Sequence, residues 1–103
     1  MRLRLEISVN GVKQKQAYLD KKKNVIGRGS HADIRIITES ISRVHLAIEV
    51  EGQEIYLTDL GSSNGSFIGD EPLEANKKTL FDTFFLPIKL GKEVFILIER
   101  CPI

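Results

Sequence analysis

The first nine residues, MRLRLEISV, alternate apolar and polar positions: Leu3, Leu5, Ile7 and Val9 against Arg2, Arg4, Glu6 and Ser8. A period of two sends successive side chains to opposite faces, so this segment predicts a strand buried on one side. Asn10-Gly11 follows, a strong hairpin signal, and a return strand is expected over 12–19. DKKKN reads as a solvated turn. Short apolar and β-branched runs predict strands over 24–27 and 33–37. In TESISRVHLAIEV, Val44, Leu46, Ile48 and Val50 recur at every second position and predict a strand over 43–50, entered through Ser42, Arg43 and His45. EGQ turns the chain, and 54–60 alternates again with Ile55, Leu57 and Asp59 on one side. Stubs are expected over 66–68 and 78–80. Residues 84–90 and 93–100 pair as a hairpin around Gly91-Lys92, with Pro87 expected to introduce a bulge or an edge.

No window carries a helical period, and no repeat, linker or low-complexity tract interrupts the chain. About ten short strands at turn-punctuated spacing define an all-β fold, a sandwich of two mainly antiparallel sheets. Loops gather at the ends of such a sandwich and carry its binding residues. Three loops rich in Gly, Ser, Asn and Arg, 27–32, 38–43 and 60–65, are expected at one end. The 103 residues suit a single domain spanning 1–103, large enough to bury a core without metal or disulfide staples. Cys101 is the only cysteine, so no internal disulfide forms; this fits a reducing, cytoplasmic setting. The alternating N-terminus is unlike a signal peptide, and no stretch reaches the ~18 apolar residues of a membrane span. Net charge is +1, so no global field draws the protein onto nucleic acid or membrane. Aromatic content of 7% with no Trp also argues against a base-stacking surface. Any anion must be held by a local site.

Three motifs invite a catalytic or cofactor reading. Gly61-Ser62-Ser63-Asn64-Gly65 matches G-x-S-x-G, but the nucleophile elbow needs a following helix and a later histidine. Here SFI follows, and His31 and His45 both precede. Gly27-Arg28-Gly29-Ser30-His31-Ala32 matches a loose dinucleotide fingerprint, yet DIRII, not a helix, comes next. His31, Asp33 and His45 lack metal-ligand spacing and cysteine support, so no metal is expected. A Ser42–His45 dyad is excluded if Ser42 lies on the strand, where odd spacing puts the two on opposite faces. If Ser42 lies on the loop, contact is allowed but not encoded. The simpler reading makes His45 a hydrogen-bonded structural residue.

What remains is anion chemistry on loops. Arg28 offers a planar fork of N–H donors, Ser42 and Ser63 offer hydroxyls, and Gly27, Gly29, Gly61 and Gly65 allow close backbone approach. Asn64 carries both a carbonyl and an amide and can pair with both polarities of a peptide backbone, although Asn64-Gly65 alone also reads as a turn dipeptide.

In order, Gly27-Arg28, Ser42-Arg43-Val44-His45 and Asn64-Gly65-Ser66 resemble the pattern of the forkhead-associated (FHA) domain, a phosphothreonine-binding β-sandwich. The surrounding IGR, ADIRI, ISRVHL and LTDLGSSNGSFIG match as well, so the resemblance is strongest from Val25 to Gly69. It implies phosphate contacts from Arg28, Ser42, Arg43 and Ser63, and a peptide-backbone clamp at Asn64. Gly27, His45 and Gly65 would support the site. Ser66 stands where the family more often has Thr, and Phe81-Asp82 where it has Gly-Asp. The implied function is phosphothreonine-dependent docking of an extended peptide, without catalysis or cofactor. The partner would be a Thr-phosphorylated protein, which includes another copy or another segment of the same protein through Thr38, Thr58, Thr79 or Thr83. The alternative is a phosphate-independent interaction sandwich with a degenerate site, using exposed apolar residues such as Phe84 and Phe85; core placement is expected for most of the five phenylalanines. Selectivity for flanking residues is expected from 29–32, 38–41 and 69–76.

Overall fold

A computed structural model of the chain describes residues 2–101. The alternation at the N-terminus becomes β1, Arg2–Val9, with Leu3, Leu5 and Ile7 buried. Asn10 and Gly11 both take positive φ (53° and 78°), forming the tight turn their sequence predicts, and β2 is Val12–Tyr18. A shift of register between Ile7 and Ser8 accommodates one extra residue of β2. The remaining strands are β3 Lys23–Gly27, β4 Ile34–Arg35, β5 Leu46–Glu51, β6 Glu54–Asp59, β7 Ser66–Ile68, β8 Glu71–Pro72, β9 Thr79–Leu80, β10 Ile88–Leu90 and β11 Val94–Cys101.

They form two sheets, ordered β2-β1-β11-β10-β7-β8 and β4-β3-β5-β6-β9. All pairs are antiparallel except β3 with β4. Their inner faces meet in one core built by the period-two positions: Leu5, Ile7, Ile88, Leu90, Ile96 and Ile98 from one sheet, and Ile26, Leu46, Ile48, Ile55 and Leu57 from the other. Each such side chain contributes roughly 1.5–3 kcal/mol on full burial. Asp59 continues the inward row of β6 as expected, and is buried although charged.

Several expectations need correction. The strand expected over 43–50 begins at Leu46; Val44 stands half exposed in the preceding loop. The strand over 33–37 shrinks to two residues, and Ile37 is exposed. Pro87 makes neither a bulge nor an edge: β10 starts immediately after it and lies inside the sheet between β11 and β7. The ring has no N–H to give, so pairing begins one residue later, while the Pro87 carbonyl accepts from the Gly69 amide. Of the five phenylalanines only Phe81 is buried; Phe84 packs edge-to-face on it at 5.1 Å, and Phe85 is 83% exposed. Glu71–Pro72 adds a short edge strand where a loop was expected.

The strand directions sort the loops. The segments 28–33, 36–45, 60–65 and 91–93 meet at one end, tied by Arg28 N–Ser42 O, Leu60 N–His45 O and Gly91 N–Gly65 O bonds of 2.9 Å each. Asn76 joins them through its amide bond to the Asp59 carbonyl, 2.7 Å. The 69–70 turn lies at the other end, beside Pro87.

Candidate functional site

Gly27 ends β3 where the 42–45 segment crosses it. A Cβ at Gly27 would lie 2.0 Å from the Arg43 carbonyl oxygen, so only glycine permits this approach. The crossing is sealed by Arg28 N to Ser42 O (2.9 Å), Gly29 N to Arg43 O (3.0 Å) and His45 N to Ile26 O (2.9 Å). Arg28 is thereby set beside Ser42. Its Nε–H donates to the Ile41 carbonyl at 3.0 Å, which fixes the plane of the guanidinium and leaves its terminal nitrogens to act elsewhere.

His45 is fully buried and bridges two loops. Nδ1 accepts from the Ser42 amide at 3.1 Å, and Nε2 meets the Gly65 carbonyl at 2.8 Å. The amide only donates and the carbonyl only accepts, so Nε2 carries the proton and the ring is neutral. Burial pushes its pKa below the ordinary value, against smaller opposing pulls from the Gly65 carbonyl and Asp59. Its 4.0 Å approach to Asp59 is therefore not an ion pair. Both ring nitrogens are committed to backbone, and the Ser42 hydroxyl faces elsewhere, accepting from the Ser63 amide at 3.1 Å. The contact between Ser42 and His45 thus runs through the Ser42 amide and does not form a nucleophilic dyad.

The 60–65 loop is shaped by Asp59. One carboxylate oxygen accepts from the Gly61 and Ser62 amides at 3.1 and 3.0 Å, and the other from the Ser62 and Ser66 hydroxyls at 2.6 and 2.5 Å. Ser62 Oγ also accepts from the Gly65 amide at 3.0 Å, and Gly65 turns with φ of 86°. Burial alone would raise the Asp59 pKa; the hydroxyls of Ser62 and Ser66, the Ser62 amide and nearby His45 outweigh it and hold the carboxyl below its usual range. The loop so formed presents Ser63 and Asn64 to solvent. Asn64 Nδ2 donates to the Ser40 carbonyl at 3.0 Å, placing the carboxamide against the 38–41 segment. That segment is anchored by Glu93, which accepts from the hydroxyls of Thr38 (2.5 Å) and Ser40 (3.2 Å).

The structure places on neighbouring loops the residues that the family pattern implies for the site. Arg28, Ser42, Ser63 and Asn64 lie on three loops linked by hydrogen bonds, with Arg43 exposed beside them and Gly27, His45 and Gly65 beneath. Sequence reasoning missed the supporting work of Ser62 and Glu93, and saw only the placement of Asp59. A signal for Asp59 was present: aspartate at a strand end with Gly and Ser two and three residues on is the pattern of an Asx turn.

The family model that matches this chain is that of the FHA domain, over residues 24–87, and the chain belongs to this family. It is 41% identical over 51 residues to the FHA domain-containing protein FhaA of Mycobacterium tuberculosis, a match covering 50% of this chain and 10% of FhaA. It is 33% identical over 57 residues to the glycogen accumulation regulator GarA of Mycolicibacterium smegmatis, covering 55% of this chain and 36% of GarA. The chain thus corresponds to a minor part of these curated relatives. Among solved structures, it superposes over the full length of both chains on one from a structural and functional analysis of phosphothreonine-dependent FHA domain interactions, with a TM-score of 0.81 and 27% identity. The FhaA FHA domain complexed with the intracellular domain of Rv3910 gives a TM-score of 0.77 and 28% identity, over 94% of this chain and 99% of that one.

Proposed function

We propose that this domain is a phosphothreonine-dependent reader of extended peptides, with Arg28, Ser42, Arg43 and Ser63 as phosphate donors and Asn64 as the main-chain clamp. The observation that carries this reading is the hydrogen-bonded convergence of Arg28, Ser42, Ser63 and Asn64 at one end of the sandwich. The solved relative described by its phosphothreonine-dependent interactions supports it.

The chemistry is charge-assisted hydrogen bonding on a pre-formed frame. Phosphothreonine carries about −1.5 to −2 charge and three acceptor oxygens. The Nε bond to Ile41 orders the Arg28 fork before any ligand arrives, so little side-chain entropy is lost on binding. Ser42 Oγ already accepts from Ser63, so its own proton is available to donate outward. Asn64 uses one N–H on Ser40 and keeps its carbonyl oxygen and second N–H for a peptide strand. The partner is a Thr-phosphorylated protein in the cytoplasm, and the domain itself performs no catalysis.

Calorimetric titration with matched Thr, phosphothreonine and phosphoserine peptides tests the proposal. A charged hydrogen bond is worth roughly 1.5–3 kcal/mol, so Arg28→Ala should weaken phosphothreonine binding by about tenfold to a hundredfold. Ser42→Ala should weaken it less. Equal affinity for Thr and phosphothreonine peptides rejects the proposal. Peptide binding unaffected by Arg28→Ala would instead favour a phosphate-independent surface, for which Phe85, 83% exposed, is a candidate.

A further inference from the structure

The outer faces of the two sheets differ. On the sheet β4-β3-β5-β6-β9, outward Tyr56 lies under the Lys78 ammonium at 4.6 Å, and Lys78 is itself paired with Glu49 and Glu51. On the other sheet, β11 is an inner strand whose buried Val94, Ile96 and Ile98 alternate with outward Phe95 and Leu97, 36% and 40% exposed. Directly opposed residues share a face. The registers therefore set Lys13, Ser8, Phe95, Lys89, Phe67 and Pro72 in one row across all six strands, and Gln16, Glu6 and Leu97 in the next. Apolar side chains thus stand exposed at the middle of this face, where an interaction surface is expected.

Charge divides by flank on either side of β11. On β10 stands Lys89, whose ammonium lies 5.5 Å from the centre of the Phe67 ring. On β1 stands Glu6. Lys13 and Gln16 approach Glu6 at 3.0 and 3.2 Å, and both take the same oxygen, Oε1. Oε2 is left to accept from a further donor.

We propose that this face joins two copies of the chain about a two-fold axis parallel to β11, with Phe95 and Leu97 meeting their counterparts. A two-fold interface uses the same patch on both copies. This axis carries the β10 flank of one copy over the β1 flank of the other, so Lys89 approaches Oε2 of Glu6 in the second copy, twice over. An axis across the strands at Phe95 would instead set Lys89 against Lys89, which like charge disfavours. The axis along the strands also turns the 28–33, 36–45 and 60–65 loops of both copies the same way. The dimer is then a bivalent reader, a consequence that rests on the reading of those loops as the phosphothreonine site. Facing sheets pack about 10 Å apart, so the two sites lie roughly 20–30 Å from each other, a span of about six to nine extended residues.

The test is sedimentation velocity of the peptide-free chain at concentrations up to about 1 mM. Wild type should pass from monomer to dimer. Phe95→Glu and Leu97→Glu should each raise the dimer Kd about tenfold or more, with circular dichroism melts showing that both variants fold. Lys89→Glu should raise it about threefold to tenfold, and adding Glu6→Lys should recover most of that loss. Leu80→Glu, an exposed position on the other sheet, should leave the dimer unchanged. A monomer at every concentration overturns the inference, as does a dimer indifferent to Phe95→Glu and Leu97→Glu. A dimer tightened by Lys89→Glu refutes the axis, and the proposal with it. None of these results touches the phosphothreonine reading, because no peptide is present. The bivalent consequence is read by calorimetry: a peptide with two phosphothreonines six to nine residues apart should bind wild type more than about tenfold tighter than a singly phosphorylated one, and Phe95→Glu should abolish the gain. Equal affinity of the two peptides for a wild-type dimer overturns the bivalent arrangement. Failure to distinguish Thr from phosphothreonine overturns the underlying reading and leaves the dimer standing.

Discussion

Asp59→Ala removes one carboxylate and four hydrogen bonds while leaving every proposed phosphate contact chemically intact. Hydrogen bonds to a charged group contribute roughly 1.5–3 kcal/mol each, but they do not sum, because the stranded donors differ in their access to water. The Ser66 hydroxyl is 1% exposed and cannot be rehydrated, which costs about 1–3 kcal/mol. Gly61 is exposed and Ser62 half-buried, so their amides regain water and lose nearer 1 kcal/mol apiece. The expected loss is about 3–5 kcal/mol, a large part of the ~5–15 kcal/mol available to a domain. Urea unfolding should show a lowered midpoint with an unchanged slope. Peptide affinity should also fall in conditions where the variant is fully folded, since Ser63 and Asn64 sit on the loop that Asp59 holds. Asp59→Asn retains one acceptor oxygen and should fall between the two. The Asp59 pKa is depressed in the folded state, so its contribution is complete above the unfolded value near 3.9 and is lost as pH falls through the folded value. The acid limb of the wild-type stability curve should therefore be flattened in Asp59→Asn. A loss below about 1 kcal/mol in Asp59→Ala, with unchanged peptide affinity, would refute the claim that this carboxylate shapes the loop.

Gly27→Ala places a methyl 2.0 Å from the Arg43 carbonyl oxygen and should cost about 1–3 kcal/mol or more together with peptide affinity, whereas Gly29→Ala, at 3.1 Å from the same atom, should be milder; urea melts and titrations of both variants check this. For His45 the folded pKa lies below the unfolded one, so stability is full above about pH 6.5 and declines as pH drops from there to the folded value. A His45→Gln variant should be less stable overall and lack this slope in chemical denaturation across pH. Phe81→Ala should cost about 3–5 kcal/mol, while Phe85→Ala, at a side chain 83% exposed, should change the melting midpoint little.

The strands were legible wherever one face meets the core, because burial on one side imposes a period of two. Leu3, Leu5 and Ile7, and likewise Ile55, Leu57 and Asp59, show this plainly. The rule fails where apolar residues serve other ends. Val44 keeps the rhythm of β5 yet lies in the loop, because backbone groups on either side of it, the Arg43 carbonyl and the His45 amide, bond to the 26–29 segment. The β-branched run at Ile36 and Ile37 reads as strand, but β4 has only β3 to pair with and ends after Arg35. Phenylalanine content does not reveal which rings are buried; that depends on how the 81–87 segment folds back, a tertiary matter. At the site, the ordered motifs pointed to Arg28, Ser42, Ser63 and Asn64, which the fold places on loops at one end of the sandwich. The scaffold beneath them is built from bonds between distant residues, such as Glu93 to Thr38 and His45 to Gly65, and no local pattern encodes those.

The central claim is that separate loops converge on one phosphate. Amide chemical-shift mapping of the labelled domain, titrated with a phosphothreonine peptide and with its unphosphorylated twin, tests it most directly. The account predicts large shifts at Arg28, Gly29, Arg43, Ser63, Asn64 and Gly65 with the phosphorylated peptide alone, and near-silence at the opposite end around Gly52 and Gly69. Shifts centred on that opposite end or on the outer face of a sheet, or the same pattern from both peptides, would contradict it.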